Sequence, residues 1–447
     1  MKLRNLFLAG LAAIAMASCS NEIEGVDENN AGVQLDENAR MQFSIAFPKT
    51  NSTRADDQDA DKNGLATEQK VQSIQLILKY DDAELAKYNK NLTFDDIANE
   101  FDINGNVYTL KASKAISAVA GTAKVYVCIN GEADAAKVAL TDGAETITAT
   151  YTSLDGLANG IAKDENFLMT GKNSVTIEDQ KTVTAKVAVD RVAAKISERS
   201  KANLAEFNHK TIFYKLDGTT DHTEELTATT TLVSYSFLNL NTTSYVFKQA
   251  APFVPTATTG YFQYSEQKGK SDIDFEADGF SKKEIAKENN EITYCMENVN
   301  KTAPTYVVYK ASVKIGDQAE GVNFYSVKDG NGDVRFYKNF AELKSAYKEV
   351  IAVSGLEDGS TYDKFFAAGI IKYTSGICYY VKPINSTVNG TATASIYRNN
   401  HYILTVNSIK GIGSAVVDPT TPIPATYMSL EVTVNPWTVQ NNDFVLN

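Results

Sequence analysis

The sequence predicts a mainly β protein of two β-sandwich-like domains with few short helices, plus one separate strand at the C-terminus. Three observations carry this. Apolar and polar residues alternate from end to end, the period-2 signature of half-buried strands. Turn-rich segments separate the alternating runs, which suits sandwiches better than βαβ units. The 447 residues, divided by about 150 per domain, give two or three domains, and sandwich units favour two. Apolar residues at 43% and charged residues at 22% exclude a disordered, collagen-like or multi-span membrane chain. The net charge of −12 argues against a nucleic-acid partner, because phosphate binding needs clustered Lys and Arg. Histidine is the usual proton shuttle and metal ligand near neutral pH. His209, His222 and His401 are far apart in sequence, so neither a His-based enzyme nor a metal cofactor is expected.

The N-terminus comes first in chain order. Lys2 and Arg4 precede an apolar run from Leu6 to Ala17, the layout of a secretory signal peptide. That run is too short to span a bilayer as a helix. Its end, Met16-Ala17-Ser18-Cys19, resembles a bacterial lipobox, in which Cys19 becomes the lipidated first residue after cleavage. The polar, acidic stretch from Ser20 to Asn30 reads as a flexible tether. It also resembles an export signal to the outer leaflet.

The first strand follows at Arg40 to Pro48, where Met41, Phe43, Ile45 and Phe47 share one face. Lys49 to Gly64 is a polar loop holding Arg54, the kind of segment that proteases cut. Alternation then marks strands at Ile74 to Tyr80, Val183 to Val189, Tyr306 to Val313 and Tyr402 to Val406. Helical spacing is confined to Phe340 to Val353, with Leu343, Tyr347, Val350 and Ile351 on one face, and to the shorter Phe94 to Phe101. A domain boundary is expected near Ile196 to Phe207, where a long β pattern gives way to Ser197-Glu198-Arg199-Ser200-Lys201. Pro419, Pro422 and Pro424 mark an extended linker that sets the last strand apart. There Met428, Leu430, Val432 and Val434 share one face, ahead of Trp437.

The two terminal strands superpose, M-x-F-x-I-x-F on M-x-L-x-V-x-V. Loss of the first would uncover four pockets, each worth about 1.5–3 kcal/mol of burial. A strand of the same spacing from a neighbouring molecule would refill them, so the pattern alone offers donor-strand exchange. The divisions are therefore 1–18, a leader; 19–54, a propeptide including strand 40–48; 55–197 and 198–417, two sandwich domains; and 418–447, linker and donor strand.

Competing chemistry is weak. Asp59-x-Asp61-x-Asn63-Gly64 resembles the opening of a calcium loop, but its twelfth position is Lys70 rather than Glu. Asp329-Gly-Asn331-Gly-Asp333 reads as a turn. Cys128, Cys295 and Cys378 form no CxxC pair and read as buried structural thiols, with one disulfide and a leftover thiol as the alternative.

From Arg398 onward the residues resemble the C-terminal domain of the fimbrillins, the subunits of type V pili, and especially the major shaft subunits of short fimbriae. Arg398-Asn399-Asn400-His401-Tyr402 through Val406, Ile409 to Gly413, and Thr426 through Asn435-Pro436-Trp437 carry the likeness. Phe167 to Lys172, Asp190 to Lys195 and Val125 to Asn130 resemble segments of the family's N-terminal domain. The resemblance implies transthyretin-like sandwiches and export to the outer membrane as a lipoprotein with palmitate on Cys19. It implies cleavage by an Arg-specific protease between Arg54 and Ala55, and a donor strand (Met428, Leu430, Val432, Val434, Trp437) that fills the place of Met41, Phe43, Ile45 and Phe47. The implied partners are identical subunits and the anchor and tip subunits of a surface fimbrium active in adhesion and biofilm. A tip adhesin shares the two-domain plan. A glycan-binding outer-membrane lipoprotein is the rival from another class, with Tyr261-Phe262-Gln263-Tyr264 and Cys378-Tyr379-Tyr380 as stacking platforms.

Overall fold

Period-2 alternation buries one face of each strand, so each sheet needs a second layer over that face. The computed structural model of the chain describes residues 37–47, 65–131, 147–200, 206–217, 220–255, 261–262, 283–284, 292–347, 355–388, 391–417 and 428–436. In chain order these supply β1 (Ala39–Ala46), β2 (Ile74–Tyr80), β3 (Lys90–Phe94), β4 (Phe101–Asn104), β5 (Val107–Leu110) and β6 (Ile116–Ala118). β7 (Gly121–Ile129), β8 (Met169–Ile177) and β9 (Thr182–Ala188) follow. One sheet runs β9-β1-β5-β4, with β6 also on β1; the other runs β8-β7-β2-β3, with Asp190–Arg191 beside β8. Phe43 and Ile45 of the first sheet share one buried cluster with Leu76, Leu78, Val125 and Val127 of the second. The two backbones meet closely at Gly171, where a Cβ would lie 2.0 Å from the carbonyl oxygen of Ala188. Only glycine fits there.

The rest of the chain supplies β10 (Ala194–Glu198), β11 (Glu206–Asp217), β12 (Thr220–Leu238), β13 (Ile292–Cys295) and β14 (Tyr306–Ile315). Then come β15 (Phe324–Lys328), β16 (Val334–Tyr337), β17 (Ile370–Tyr373), β18 (Ile377–Pro383), β19 (Asn400–Ile409) and β20 (Met428–Pro436). A four-stranded sheet runs β13-β10-β19-β20, and a larger one runs β17-β15-β16-β11-β12-β14-β18. Phe237, Tyr309, Tyr380, Tyr402 and Leu404 anchor their shared cluster. Chain membership of the two cores changes over between Ala193 and Ala194, although Val246, Phe247 and Met296 belong to the first core. The fold is mainly β with few short helices, as the alternation predicts.

Local differences have physical causes. Phe94 to Phe101 is helical only at Ile97–Glu100. Phe94 ends β3 and Phe101 begins β4, and their rings meet edge-on at 5.3 Å inside the first core. The second helix begins at Phe340 as its spacing predicts and runs to Ala346, with the Asn339 side chain accepting a hydrogen bond from the Glu342 amide; residues 348–353 of the expected helix lie outside the described residues. The charged stretch at Ser197 and Glu198 is interior strand. Ser197 Oγ lies 2.8 Å from His401 Nε2, and Glu198 accepts from the Ser200 amide at 2.9 Å. Burial raises the Glu198 carboxyl above its ordinary range, while the hydrogen bonds it accepts from Ser200 and Tyr309 oppose the rise. Asp329 does shape a turn, accepting from the Asn331 and Asp333 amides and from Arg335 Nε. Of the calcium-loop pattern, residues 59–64 lie outside the described residues, and Lys70 pairs with Glu165 at 2.7 Å.

The two cores are joined by buried charge. Glu68 is fully buried, and its Oε1 accepts from Lys195 Nζ at 2.9 Å and from Tyr294 OH at 2.5 Å. Its main-chain oxygen accepts from Arg191 Nε at 3.1 Å. Burial draws the Arg191 guanidinium down to about 10, against the opposing pull of Glu68, so it stays charged at neutral pH. Burial and then the Glu68 charge push the Tyr294 hydroxyl up, so it stays a donor. Removing one member strands the other charge in an apolar interior. Lys195→Ala should therefore cost about 3–5 kcal/mol of unfolding free energy, read by denaturant titration; a loss under 1 kcal/mol would mean that water reaches the site.

Candidate functional site

The candidate site is a groove that the chain fills with its own first strand. β1 is an inner strand. It lies parallel to β9 in the register Arg40↔Thr182 to Ala46↔Ala188. Its other edge is antiparallel to β5 at Ser44 to Ala46 and to β6 at Ala39 to Met41. Arg40 N donates to Lys181 O at 2.9 Å, Val189 N to Ala46 O at 3.0 Å, and Phe47 N to Asn106 O at 2.8 Å. Asn106 Nδ2 returns a bond to Phe47 O at 2.7 Å, and Gln42 Nε2 reaches Leu110 O at 2.9 Å. Met41, Phe43 and Ile45 are completely buried, and Phe47 is nearly so, its ring 4.6 Å from that of Tyr108. Arg40, Gln42, Ser44 and Ala46 alternate with them on the outer row, opposite Thr182, Thr184, Lys186 and Ala188.

The C-terminal strand sits elsewhere. β20 is the edge of its own four-stranded sheet, antiparallel to β19 in the register Asn400↔Pro436 to Ile409↔Met428. Met428 is buried in the second core, and Leu430 and Val432 are only partly buried against it. Val434 pairs with Tyr402 in the backbone register. Glu431, on the other face, is exposed and accepts from Asn407 Nδ2 at 2.8 Å. Cys19, Arg54, Ala55 and Trp437 lie outside the described residues. The structure thus seats Met41, Phe43, Ile45 and Phe47 together in one groove and keeps Met428, Leu430 and Val432 on a different sheet.

The Arg398-Asn399-Asn400-His401 run acquires a role that its sequence does not reveal. Arg398 is buried with Glu297, the two side chains ion-paired, and it donates to Val246 O at 3.0 Å and Ser244 Oγ at 3.1 Å. Asn399, held at φ +55°, donates to Asp190 Oδ1 at 3.1 Å. This run ties the start of β19 to the strand residues that leave the groove. Glu68, Tyr294 and Glu297, its companions at the junction, escape a sequence reading. The one cue is a charged residue inside an alternating run, and Lys195 and Arg191 show it.

Cys128, Cys295 and Cys378 are buried and free, so the disulfide alternative falls away. Burial pushes each thiol up to about 12, which keeps it protonated. Tyr379 and Tyr380 are completely buried and offer no stacking platform: β18 ends its sheet, but Tyr380 packs in the second core and Tyr379, bridged through its backbone to Ser414, in a smaller cluster with Leu238, Val308 and Val417. Tyr261–Phe262 is a short strand, while Gln263 and Tyr264 lie outside the described residues.

Residues 371–443 match the family of the major fimbrial subunit protein type IV, fimbrillin, C-terminal. The match covers the segment from Arg398 onward that carries the fimbrillin resemblance, and the chain is consistent with a fimbrillin-family fimbrial subunit. Among solved structures, a candidate cell adhesion protein from Parabacteroides distasonis aligns at 14% identity and TM-score 0.46, over 90% of this chain and 99% of its own. A candidate cell adhesion protein from Bacteroides eggerthii aligns at 14% identity and TM-score 0.41, over 89% and 96%. The tip fimbrial protein of Porphyromonas gingivalis, with C-terminal truncation, aligns at 11% identity and TM-score 0.36, over 89% and 99%. No curated protein matches the chain by sequence.

The groove should be costly to leave half-filled. Phe43→Ala in the uncleaved chain is expected to lose about 3–5 kcal/mol, measured by chemical denaturation. A loss near 1 kcal/mol would show that the pocket collapses and is no preformed receptor for a strand.

Proposed function

We propose that the chain is a shaft subunit of a surface fimbrium, exported as a lipoprotein through Cys19, cut between Arg54 and Ala55, and polymerised by strand exchange. In this reading 55–197 and 198–417 are the two building domains. The single observation that carries it is the contrast between the two terminal strands. β1 is paired on both edges with its inward side chains sealed, whereas among the described residues β20 is an edge strand paired on one side, with Leu430 and Val432 only partly buried. Moving β20 from its own sheet edge into a neighbour's vacated groove gains a second hydrogen-bonded ladder and completes the burial of those side chains, so exchange runs downhill. The intact chain blocks the reaction, because β1 already occupies the site. Cleavage at Arg54 removes that block without breaking the strand itself: Arg40, the arginine inside β1, is held in a ladder on both sides.

The partners in this reading are identical subunits, anchor and tip subunits, an Arg-specific protease, and the outer membrane through palmitate and related lipid on the precursor. The working chemistry is backbone pairing and apolar burial, and the reading assigns no catalytic group. The glycan-binding rival loses its Cys378-Tyr379-Tyr380 platform to burial.

Arg54→Ala should leave a lipidated monomer that does not polymerise on treatment with an Arg-specific protease. Heat-sensitive ladders equal to wild type on a denaturing gel would overturn the cleavage step. Transfer of β20 has its own test. Leu404 and Val432 are opposite in register, a spacing that a disulfide bridges. The pair Leu404→Cys and Val432→Cys, oxidised before protease is added, should abolish polymers and release them on reduction. Polymers formed by the oxidised protein would mean that β20 never leaves β19.

A further inference from the structure

Strand exchange leaves open how a donor with regular alternation avoids inserting two residues out of place, since a slip of two keeps its apolar face inward. The outer row of the groove supplies the answer. Superposing Met428, Leu430, Val432 and Val434 on Met41, Phe43, Ile45 and Phe47 puts Glu431 on the position of Ser44. In β1 that position is the register partner of Lys186 on β9 and of Thr109 on β5. Lys186 is half-buried on the outer row, and Asp102 lies beyond Thr109, its register partner on β4. The row therefore reads Lys186, donor position, Thr109, Asp102.

We propose that Glu431 of one subunit pairs with Lys186 of the next and sets the register of the inserted strand; this rests on the exchange reading above. A slip of two in either direction places Glu431 opposite Thr184 or Ala188 instead, both uncharged. Along β9 only the superposed register sets the carboxylate beside an ammonium, and opposite charges side by side on one face of a sheet stabilise the pairing. Thr109 separates Glu431 from Asp102, so the like charge is one strand further away. The precursor's own strand lacks the interaction, because Ser44 offers only a hydroxyl, which accepts from Thr109 Oγ1 at 3.3 Å. The pair thus belongs to the polymer alone. At home Glu431 has an exposed contact with Asn407, which costs little to break.

The test is charge reversal in the full chain, followed by protease-triggered polymerisation. Lys186→Glu and Glu431→Lys are each expected to slow polymer growth at least threefold in uncleaved monomer shown to be folded by a cooperative thermal transition, and the double variant to recover to within twofold of wild type. Wild-type rates for both single variants, or no recovery in the double, would overturn the pair. A second measurement reads the register directly. Lys186→Cys with Glu431→Cys should give covalent ladders that survive heat without reductant, and Lys186→Cys with Ser429→Cys should not; the reverse pattern would overturn the assignment. Polymers that persist after deletion of residues 428–436 would instead overturn strand exchange itself, and the pair with it. Wild-type polymers that need those residues but ignore the charges would sink the pair alone.

Discussion

The edge of β9 that faces β1 has to be paired. A parallel strand in a two-layer sandwich presents its amides and carbonyls along a line with little access to water, and unpaired buried backbone groups cost as much as lost hydrogen bonds. In this chain the partner comes from the far N-terminal end of the sequence, 142 positions before it in register at Arg40↔Thr182. Everything distinctive follows from that loan. A strand from the N-terminal end of the chain thus fills the centre of a sheet, and the first sheet depends on it. Met41, Phe43 and Ile45 are completely buried, like Leu76, Leu78, Val125 and Val127 across from them, so in the proposed exchange the vacated groove would be a strong receptor.

The same stretch of chain links that groove to the other end of the molecule. β9 flanks β1, the chain passes through Asp190 and Arg191, and β10 then lies parallel to β19, whose other edge holds β20. The strands proposed as receptor site and donor therefore belong to sheets joined through residues 182–198. Glu68, Lys195, Arg191 and Tyr294 clamp its middle, and Asn399 clamps it from the β19 side through Asp190 and Ala193. Such paired buried charge is costly to break yet adds little net stability over an apolar replacement. Glu68 also follows Arg54 closely in sequence, so in the proposed reading the segment remaining after a cut there would start close to the junction.

Much of this was legible in the residues. Alternation located β2, β9, β14 and β19 and the inward faces of β1 and β20, because burial on one face leaves a period of two that no tertiary detail can erase. The Asp329 turn and the start of the helix at Phe340 were readable for the same reason, since each is set by side chains within a few residues of it. The short helix at Ile97 was overestimated, because Phe94 and Phe101 show helical spacing yet answer to the core on either side of a turn. Tyr379 and Tyr380 read as surface aromatics, because a strand buried on both faces and a half-exposed strand with tyrosines look alike in composition. The junction charges were invisible as a group, because Glu68, Lys195, Tyr294 and Arg398 lie far apart in sequence and meet only through packing.

The sequence by itself determined which residues of the described strands face inward, and that the first and last strands share one pattern of alternation. Those properties are local, fixed by side-chain period and composition. Only the tertiary structure decided that β1 is an inner strand and β20 an edge strand, that Lys186 stands opposite the Ser44 position, and that Arg191 and Lys195 are interior. Pairing partners and register are set by which strand completes which buried ladder, and that depends on the whole chain at once.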